Sequence, residues 1–232
     1  MVVTAKELDA GAIMDCFEER PINKRSREKL AKSIRERLEL VGMDRASSST
    51  EIKMLDYACG DGFLSRLFAP QVSSITAIDV SPTMIEKYKA KIDELGPSQK
   101  STMAFAGNLL SDPLEPSTLA DERLNDFHLI TVGAALHHFP SSEDAVRRLA
   151  KRLRPGGILY IQDLFDDGHQ EGTDRKGPRG FTLDELRSIL SNAELVNFRF
   201  EVLPEALEVE LPSEEVLKVR FFVARAMKPK VE

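Results

Sequence analysis

The residues best suited to chemistry form one run, Asp56-Tyr57-Ala58-Cys59-Gly60-Asp61-Gly62. An acid followed by closely spaced glycines marks a strand that turns sharply into a helix, with Cβ atoms removed where a ligand must approach the backbone. Asp79 follows nineteen residues after Gly60, at the end of a second short apolar run. A carboxylate there can accept hydrogen bonds from both hydroxyls of a ribose, so the pair points to a nucleoside-bearing ligand. Taken alone, the motif also reads as a shaped turn followed by a helix-capping acid. A dinucleotide fingerprint wants glycine or alanine at its third position, but Gly60-Asp61-Gly62-Phe63-Leu64-Ser65 ends in serine. Asp56 is a poor neighbour for a pyrophosphate and a good one for a ligand carrying an amino group and a positive sulfur. Cys59, inside the turn, reads as small-residue packing rather than as a nucleophile.

A layered α/β fold has to position these groups. Short apolar runs of strand length lie at Ile52 to Asp56, Ser74 to Ile78, Thr102 to Ala106, Phe127 to Val132, Ile158 to Gln162, Leu195 to Val202 and Lys218 to Met227. Helical signals alternate with them. Leu30, Ile34, Leu38 and Val41 form one apolar stripe, and Met84, Tyr88, Ile92 and Leu95 form another behind a Ser81-Pro82 start. Ser141 with Asp144 and Thr182 with Glu185 are capping signals. Parallel strands joined by helical crossovers need helices on both faces. The pattern therefore predicts a Rossmann-like three-layer α/β/α sandwich around a seven-stranded, mostly parallel sheet, with ligands outside the carboxyl ends of the strands. No helix precedes the last strand, so the chain is expected to close with a hairpin and an antiparallel strand.

Length and composition fit one soluble domain over residues 1–232: 42% of residues are hydrophobic and 30% charged. Residues 1–45 are read as an N-terminal helical cap. The segment Phe165 to Phe181, which includes His169, has the glycine content and mixed charge of a mobile polar loop. A formal charge of -6 disfavours nucleic-acid partners. Arg147, Arg148, Lys151, Arg152 and Arg154 surround the stripe Val146, Leu149, Leu153 as a solvated face. The isolated cysteines, Cys16 and Cys59, give neither a disulfide framework nor a zinc site, and no metal is expected. With no signal peptide and no apolar run of membrane length, the expected location is cytoplasmic, without membrane association.

Five stretches now fall into a known order: LDYACGDG (Leu55 to Gly62), AIDVSPTM (Ala77 to Met84), AGNLL (Ala106 to Leu110), LITVGAALHHF (Leu129 to Phe139) and LRPGGIL (Leu153 to Leu159). In sequence and spacing the chain resembles the class I S-adenosylmethionine-dependent methyltransferases, especially the small "type 11" group that acts on metabolites. The resemblance implies that Asp56 and the backbone of Ala58, Cys59, Gly60 and Gly62 hold the methionine portion of the cofactor. It places Asp79 on the ribose, Val80 and Met84 beside the adenine, Asn108 and the Leu109 backbone at the adenine edge, and the backbone near Gly133 at the methionine amino group, and it makes residues 164–181 a mobile substrate lid that covers the acceptor pocket together with the N-terminal stretch around Cys16 to Arg27. Met84 equally fits an ordinary core position. Ala58 stands where the family has its first glycine, and Asn108 where it has an aspartate; an amide can still accept from the adenine amino group through its oxygen, so weaker cofactor binding rather than none is expected.

Methyl transfer needs a nucleophile in line with the carbon-sulfur bond, and orientation alone can suffice. His137 and His138, after the fourth strand, are candidate general bases, with packing and helix entry as the other reading. As adjacent residues they make a poor metal pair. Where relatives that methylate amide or adenine nitrogens carry an Asn-Pro-Pro-Tyr type motif, this chain has Gly133-Ala134-Ala135-Leu136. The expected acceptor is thus a small organic molecule offering oxygen, sulfur, nitrogen or carbon, with S-adenosylhomocysteine as product and a monomer as the working unit. Two other functions share these motifs: a catalytically silent S-adenosylmethionine-binding partner or regulatory subunit, and an NAD(P)-dependent oxidoreductase.

Overall fold

The first apolar run forms β1 (Lys53–Tyr57), flanked in parallel by β2 (Ser74–Asp79) and β4 (Phe127–Gly133). The computed structural model describes residues 20–42, 51–91, 101–114, 116–167, 179–211 and 213–230. Cys16, Ile92, Leu95, His169 and most of the expected lid lie outside them. β3 (Thr102–Ala106) extends the sheet beyond β2, and β5 (Leu153–Leu164) beyond β4. β6 (Val196–Val202) and β9 (Phe221–Met227) complete the order β3-β2-β1-β4-β5-β9-β6. The last strand is inserted between β5 and β6 and runs antiparallel to both. Strand order reverses between β1 and β4, which opens a crevice at the carboxyl ends of these two strands.

Both faces of the sheet are covered, as period-two burial requires. Leu55, Tyr57, Ile130, Val132 and Leu159 pack with Val146 and Leu149 of α5 (Ser142–Arg152) and Leu186 and Leu190 of α6 (Leu183–Asn192). Met54, Leu129, Ile158 and Tyr160 face the other way, against Leu30 and Ile34 of α1 (Pro21–Arg35) and Leu64, Leu67 and Phe68 of α3 (Phe63–Phe68). Ile85 and Tyr88 of α4 (Pro82–Ala90) cover Ala77 and Cys59. A buried Leu, Ile or Phe contributes about 2 kcal/mol, so these layers position the loops more firmly than any single polar contact. The caps form as their residue types suggest: Ser81 accepts from Met84, Ser141 from Asp144, and Thr182 with Glu185 completes a reciprocal capping box.

Several elements depart from the periodic reading. The first stripe is split, because Arg37 donates to the Ser33 carbonyl and to Glu201 and turns the chain into α2 (Leu38–Val41). Between β3 and β4 the chain makes 3-10 turns at Ser117–Ala120 and Glu122–Leu124. β5 begins at Leu153 rather than Ile158, since the Arg154 to Gly157 segment forms a bulge between the pairs Phe127–Leu153 and Leu129–Ile158. A Cβ on Gly157 would come within 2.6 Å of the Phe127 carbonyl oxygen, so this bulge tolerates only glycine there. The expected final strand is two: β8 (Val216–Val219) pairs with β7 (Leu207–Glu210) in a separate antiparallel hairpin, and β9 starts only at Phe221. No helix among the described residues is long and apolar enough to cross a membrane.

Candidate active site

The turn after β1 places three residues in left-handed backbone within five positions: Ala58 at φ 54°, Gly60 at 53° and Gly62 at 86°. Ala58 holds that conformation against its own Cβ, a strain of about 1 kcal/mol. A Cβ on Gly60 would meet nothing within 4 Å, because it would stand in a cavity; one on Gly62 would lie 2.8 Å from the Tyr88 ring. Gly60 thus keeps space open for a ligand, whereas Gly62 lets α3 and α4 approach. The Gly60 N–H donates to Asp79 Oδ2 at 2.9 Å and the Ser81 N–H to Asp79 Oδ1 at 2.9 Å. Two backbone donors therefore aim the carboxylate at the end of β2.

Asp56 is 1% exposed and faces inward. Its Oδ2 accepts from the Ser65 N–H at 3.0 Å and the Ser65 hydroxyl at 2.6 Å, and its Oδ1 from the Thr131 hydroxyl at 2.9 Å. Tyr88 donates in turn to Ser65 Oγ at 2.9 Å. Ser65, the serine that breaks the dinucleotide fingerprint, is accordingly the residue that ties Asp56 to α3. Burial pushes the Asp56 pKa up to about 6 despite the hydrogen bonds from Ser65 and Thr131. Cys59 is buried, and burial first, then Asp56 and Asp79, push its thiol well above the ordinary value, so it stays protonated and packs as a small apolar group.

Asp61 has a role its turn position did not reveal. It is buried, and its carboxylate meets Arg27 at 2.7 Å, Lys91 at 2.7 Å and Arg66 at 3.1 Å. Burial alone would raise its pKa, but the cations, Arg27 foremost, hold it well below the usual carboxylate range. Arg27 lies on α1, so this cluster fastens the N-terminal helix over the glycine turn. The other side of α1 is fastened to β7: Asn23 exchanges two hydrogen bonds with the Glu210 backbone, Ser26 donates to the Glu208 carbonyl, and Arg20 pairs with Glu210. The hairpin carried no recognised signal, because its four-residue strands are too short for alternation to stand out.

These elements enclose a cavity of about 550 Å³ at the crevice. Of the residues singled out in the sequence, Asp56, Ala58, Cys59, Gly60, Asp79, Val80, Met84, Asn108, Gly133 and His138 line it; Gly62, Leu109 and His137 do not. Val80 is 60% exposed, a large apolar side chain left open beside Asp79. Met84 is a buried stripe residue and a wall residue at once, so both readings of it hold. The helix α1 and strand β7 supply Arg27, Leu30, Leu207 and Val209, and β9 supplies Phe221. His137 is turned into the fold, its Nδ1 at 2.5 Å from Oδ1 of the fully buried Asp163, while His138 stacks beside it with ring centroids 3.9 Å apart. Among the described residues no three His, Cys, Asp or Glu side chains are grouped to hold a metal.

A family profile described as "Methyltransferase domain" matches residues 55–159, from β1 through the bulge of β5. This match, over somewhat less than half of the chain, supports a class I S-adenosylmethionine-dependent methyltransferase. It is 27% identical over 170 residues to an uncharacterized methyltransferase of Schizosaccharomyces pombe, covering 68% of this chain and 58% of that one. It is 28% identical over 128 residues to a ubiquinone biosynthesis O-methyltransferase of Xanthomonas oryzae, covering 53% and 49%. The chain thus spans about half the length of the curated relatives it matches. Among solved structures, the fold is shared with phosphoethanolamine N-methyltransferase 2 of Haemonchus contortus in complex with S-adenosyl-L-methionine, at a TM-score of 0.60, 13% identity and coverage of 83% of this chain and 51% of that one.

One departure from the family pattern acquires a geometry. Asn108 Oδ1 accepts from the Leu110 N–H at 2.8 Å and from the Tyr57 hydroxyl at 3.0 Å. The backbone donor fixes which amide atom is the oxygen, so the side-chain NH2 is the group left to meet a ligand. The sequence reading, in which the amide oxygen receives an adenine amino group, does not fit this arrangement. Leu109 is buried in the core, and its neighbour Leu110 lines the cavity instead.

Proposed function

We propose that the chain binds S-adenosylmethionine in this cavity and catalyses methyl transfer to a nucleophile on a small organic acceptor. The observation that carries the reading is the pairing of the open Gly60 cradle with the Asp79 carboxylate. Each Asp79 oxygen is aimed by one backbone N–H and retains lone-pair capacity for a ribose hydroxyl. Val80 and Met84 offer apolar contact to an adenine next to that ribose. Asp56, held by Ser65 and Thr131, contributes negative charge beneath the methionine end and supports the turn rather than reaching out to the ligand. S-adenosylmethionine supplies a methyl group already activated on a sulfonium. The protein's part is to align the acceptor, exclude water and take up a proton where the nucleophile carries one.

His138 is the candidate base, because its ring borders the cavity. Burial, then the neighbouring His137, lowers its pKa from the ordinary histidine value, so the imidazole is neutral at pH 7 and can accept a proton. His137 acts behind it as a positioning residue, donating from Nδ1 to Asp163. The expected kcat/KM of methyl transfer is flat above pH 7 and falls only below the ordinary histidine range as His138 protonates. A His138→Asn variant is expected to lose about a hundredfold in kcat and that acid limb with it; retention of the limb would remove His138 from the chemistry. Asn108→Asp exchanges the outward NH2 for an acceptor and is expected to tighten S-adenosylhomocysteine binding about tenfold, read by calorimetry; unchanged affinity would move the adenine elsewhere.

The reading includes a single methyltransferase domain with residues 1–45 as its cap and 164–181 as its lid, acting as a monomer in the cytoplasm. The Asp61 cluster and the hairpin contacts of α1 support the cap. Its test is calorimetric titration with S-adenosylhomocysteine beside NAD(P), followed by transfer of labelled methyl groups to a panel of thiols, phenols and carboxylic acids. Micromolar binding of S-adenosylhomocysteine with turnover supports it. Binding without turnover on any acceptor favours the silent partner, and NAD(P) binding alone the oxidoreductase.

A further inference from the structure

Gln162 sits at the carboxyl end of β5, across from Gly133 of β4. It lines the cavity and is 1% exposed, and its side-chain Nε2 has no hydrogen-bond partner among the described residues. Buried donors are almost always paired, because an unmet donor forfeits its hydration without replacement. A glutamine left in this condition at a cavity wall marks the place of an acceptor atom that arrives with a ligand.

The sheet order says which ligand. β5 lies three strands from β2, about 14 Å from the strand that carries Asp79 at a spacing of about 4.8 Å. The nucleoside end of the cavity is therefore remote from Gln162, which stands instead beside Gly133 at the methionine end, the end where the acceptor must meet the methyl group. Phe221 of β9, paired with Leu164 of β5, lines the cavity on this side, and Leu207 of the hairpin packs in the same core cluster as Phe221; Val209 lines the cavity as well. The polar groups beside these apolar side chains are the glutamine amide, the His138 ring and, from α1, Asn23, Ser26 and Arg27, of which Asn23 and Ser26 bond the β7 backbone and Arg27 pairs with Asp61.

We propose that Gln162 selects the methyl acceptor by donating a hydrogen bond from Nε2 to an oxygen on an otherwise apolar molecule, of the class of phenols, enols or their carbonyl neighbours. The unmet group is an N–H, so it calls for an acceptor atom, which an oxygen supplies and a protonated amine does not. The proposal rests on the methyl-transfer reading of the cavity and adds the acceptor's chemistry to it.

The test uses 2-naphthol and 2-methylnaphthalene, which share an apolar body and differ in the oxygen. Both are titrated into the full chain saturated with S-adenosylhomocysteine, in the wild type and in Gln162→Leu. The wild type is expected to prefer naphthol by about tenfold, a difference of about 1.4 kcal/mol, and the variant to lose that preference. S-adenosylhomocysteine affinity is expected to stay within about twofold in the variant, and its ligand-free melting temperature to rise, since leucine removes an unmet donor. No preference for naphthol in the wild type, including no binding of either probe, overturns the proposal, as does a preference that survives in Gln162→Leu. A fall in melting temperature shows the amide already paired within the fold, and a tenfold loss of S-adenosylhomocysteine affinity assigns it to the cofactor; either overturns it. If S-adenosylhomocysteine does not bind the wild type, the methyl-transfer reading fails, and the naphthol comparison on the ligand-free chain still decides the role of Gln162.

Discussion

Asp79→Ala is expected to weaken S-adenosylhomocysteine binding by about a hundredfold or more, because hydrogen bonds donated by two ribose hydroxyls to a carboxylate are worth about 1.5 to 3 kcal/mol each. The structure adds a second consequence. The same carboxylate accepts from the Gly60 and Ser81 N–H groups, so alanine also releases the glycine turn and the start of α4. A loss of about 2 kcal/mol in unfolding free energy is expected beside the loss of affinity. Asp79→Asn separates the two effects: its single amide oxygen can keep one backbone donor, while its NH2 opposes the other. Isothermal calorimetry and urea unfolding on both variants provide the check. Full affinity in Asp79→Ala would place the ribose elsewhere, and full stability would show that the turn does not depend on this acid.

Asp61→Ala is expected to cost about 3 kcal/mol of stability, at the low end for removal of a buried ionic partner because Arg27, Arg66 and Lys91 all keep some solvent. Arg27→Leu leaves Asp61 with two cations and is expected to cost about 1 kcal/mol. The pH dependence has a fixed sign. The folded-state pKa of Asp61 is depressed below its unfolded value, so its contribution is fully present above the ordinary carboxylate range and is lost as the pH falls below it. Asp56 works against it: with a folded pKa raised to about 6, its protonated form stabilises the fold below the unfolded value, and that contribution disappears as the pH rises through 6. Urea unfolding of the wild type and of Asp61→Ala between about pH 3 and 7 should show a shallower acid loss in the variant. Equal slopes would mean that the three cations are satisfied by solvent in the native state.

The acid-labile cluster also governs the cavity, since Arg27 carries α1 across the glycine turn. Nothing in the order Arg27, Asp61, Arg66, Lys91 suggested that they meet, because residues 34 and 30 positions from Asp61 come together only when α1 and α4 both pack over one turn. Ser65 is the reverse case. In the sequence it is a mismatch in a glycine motif; in the fold it is the donor that satisfies a buried carboxylate.

What the sequence by itself determined was local and periodic. Strand-length apolar runs, capping residues and the Asp56 to Gly62 turn defined the layered fold and placed Asp79 at the end of its second strand, because backbone sterics and burial act on neighbouring residues. The tertiary structure alone decided where β9 enters the sheet and how the β7–β8 hairpin clasps α1, since β9 pairs with β5 across all of the intervening α6, β6 and hairpin and the hairpin meets α1 from 187 residues away. It also decided the direction of polar atoms: Asn108 turns its oxygen to Leu110 and Tyr57, His137 turns inward to Asp163, and Gln162 is left with an unmet donor. Residue type states what a side chain can donate or accept. Only the packed fold determines which of those groups are consumed internally and which remain for a ligand.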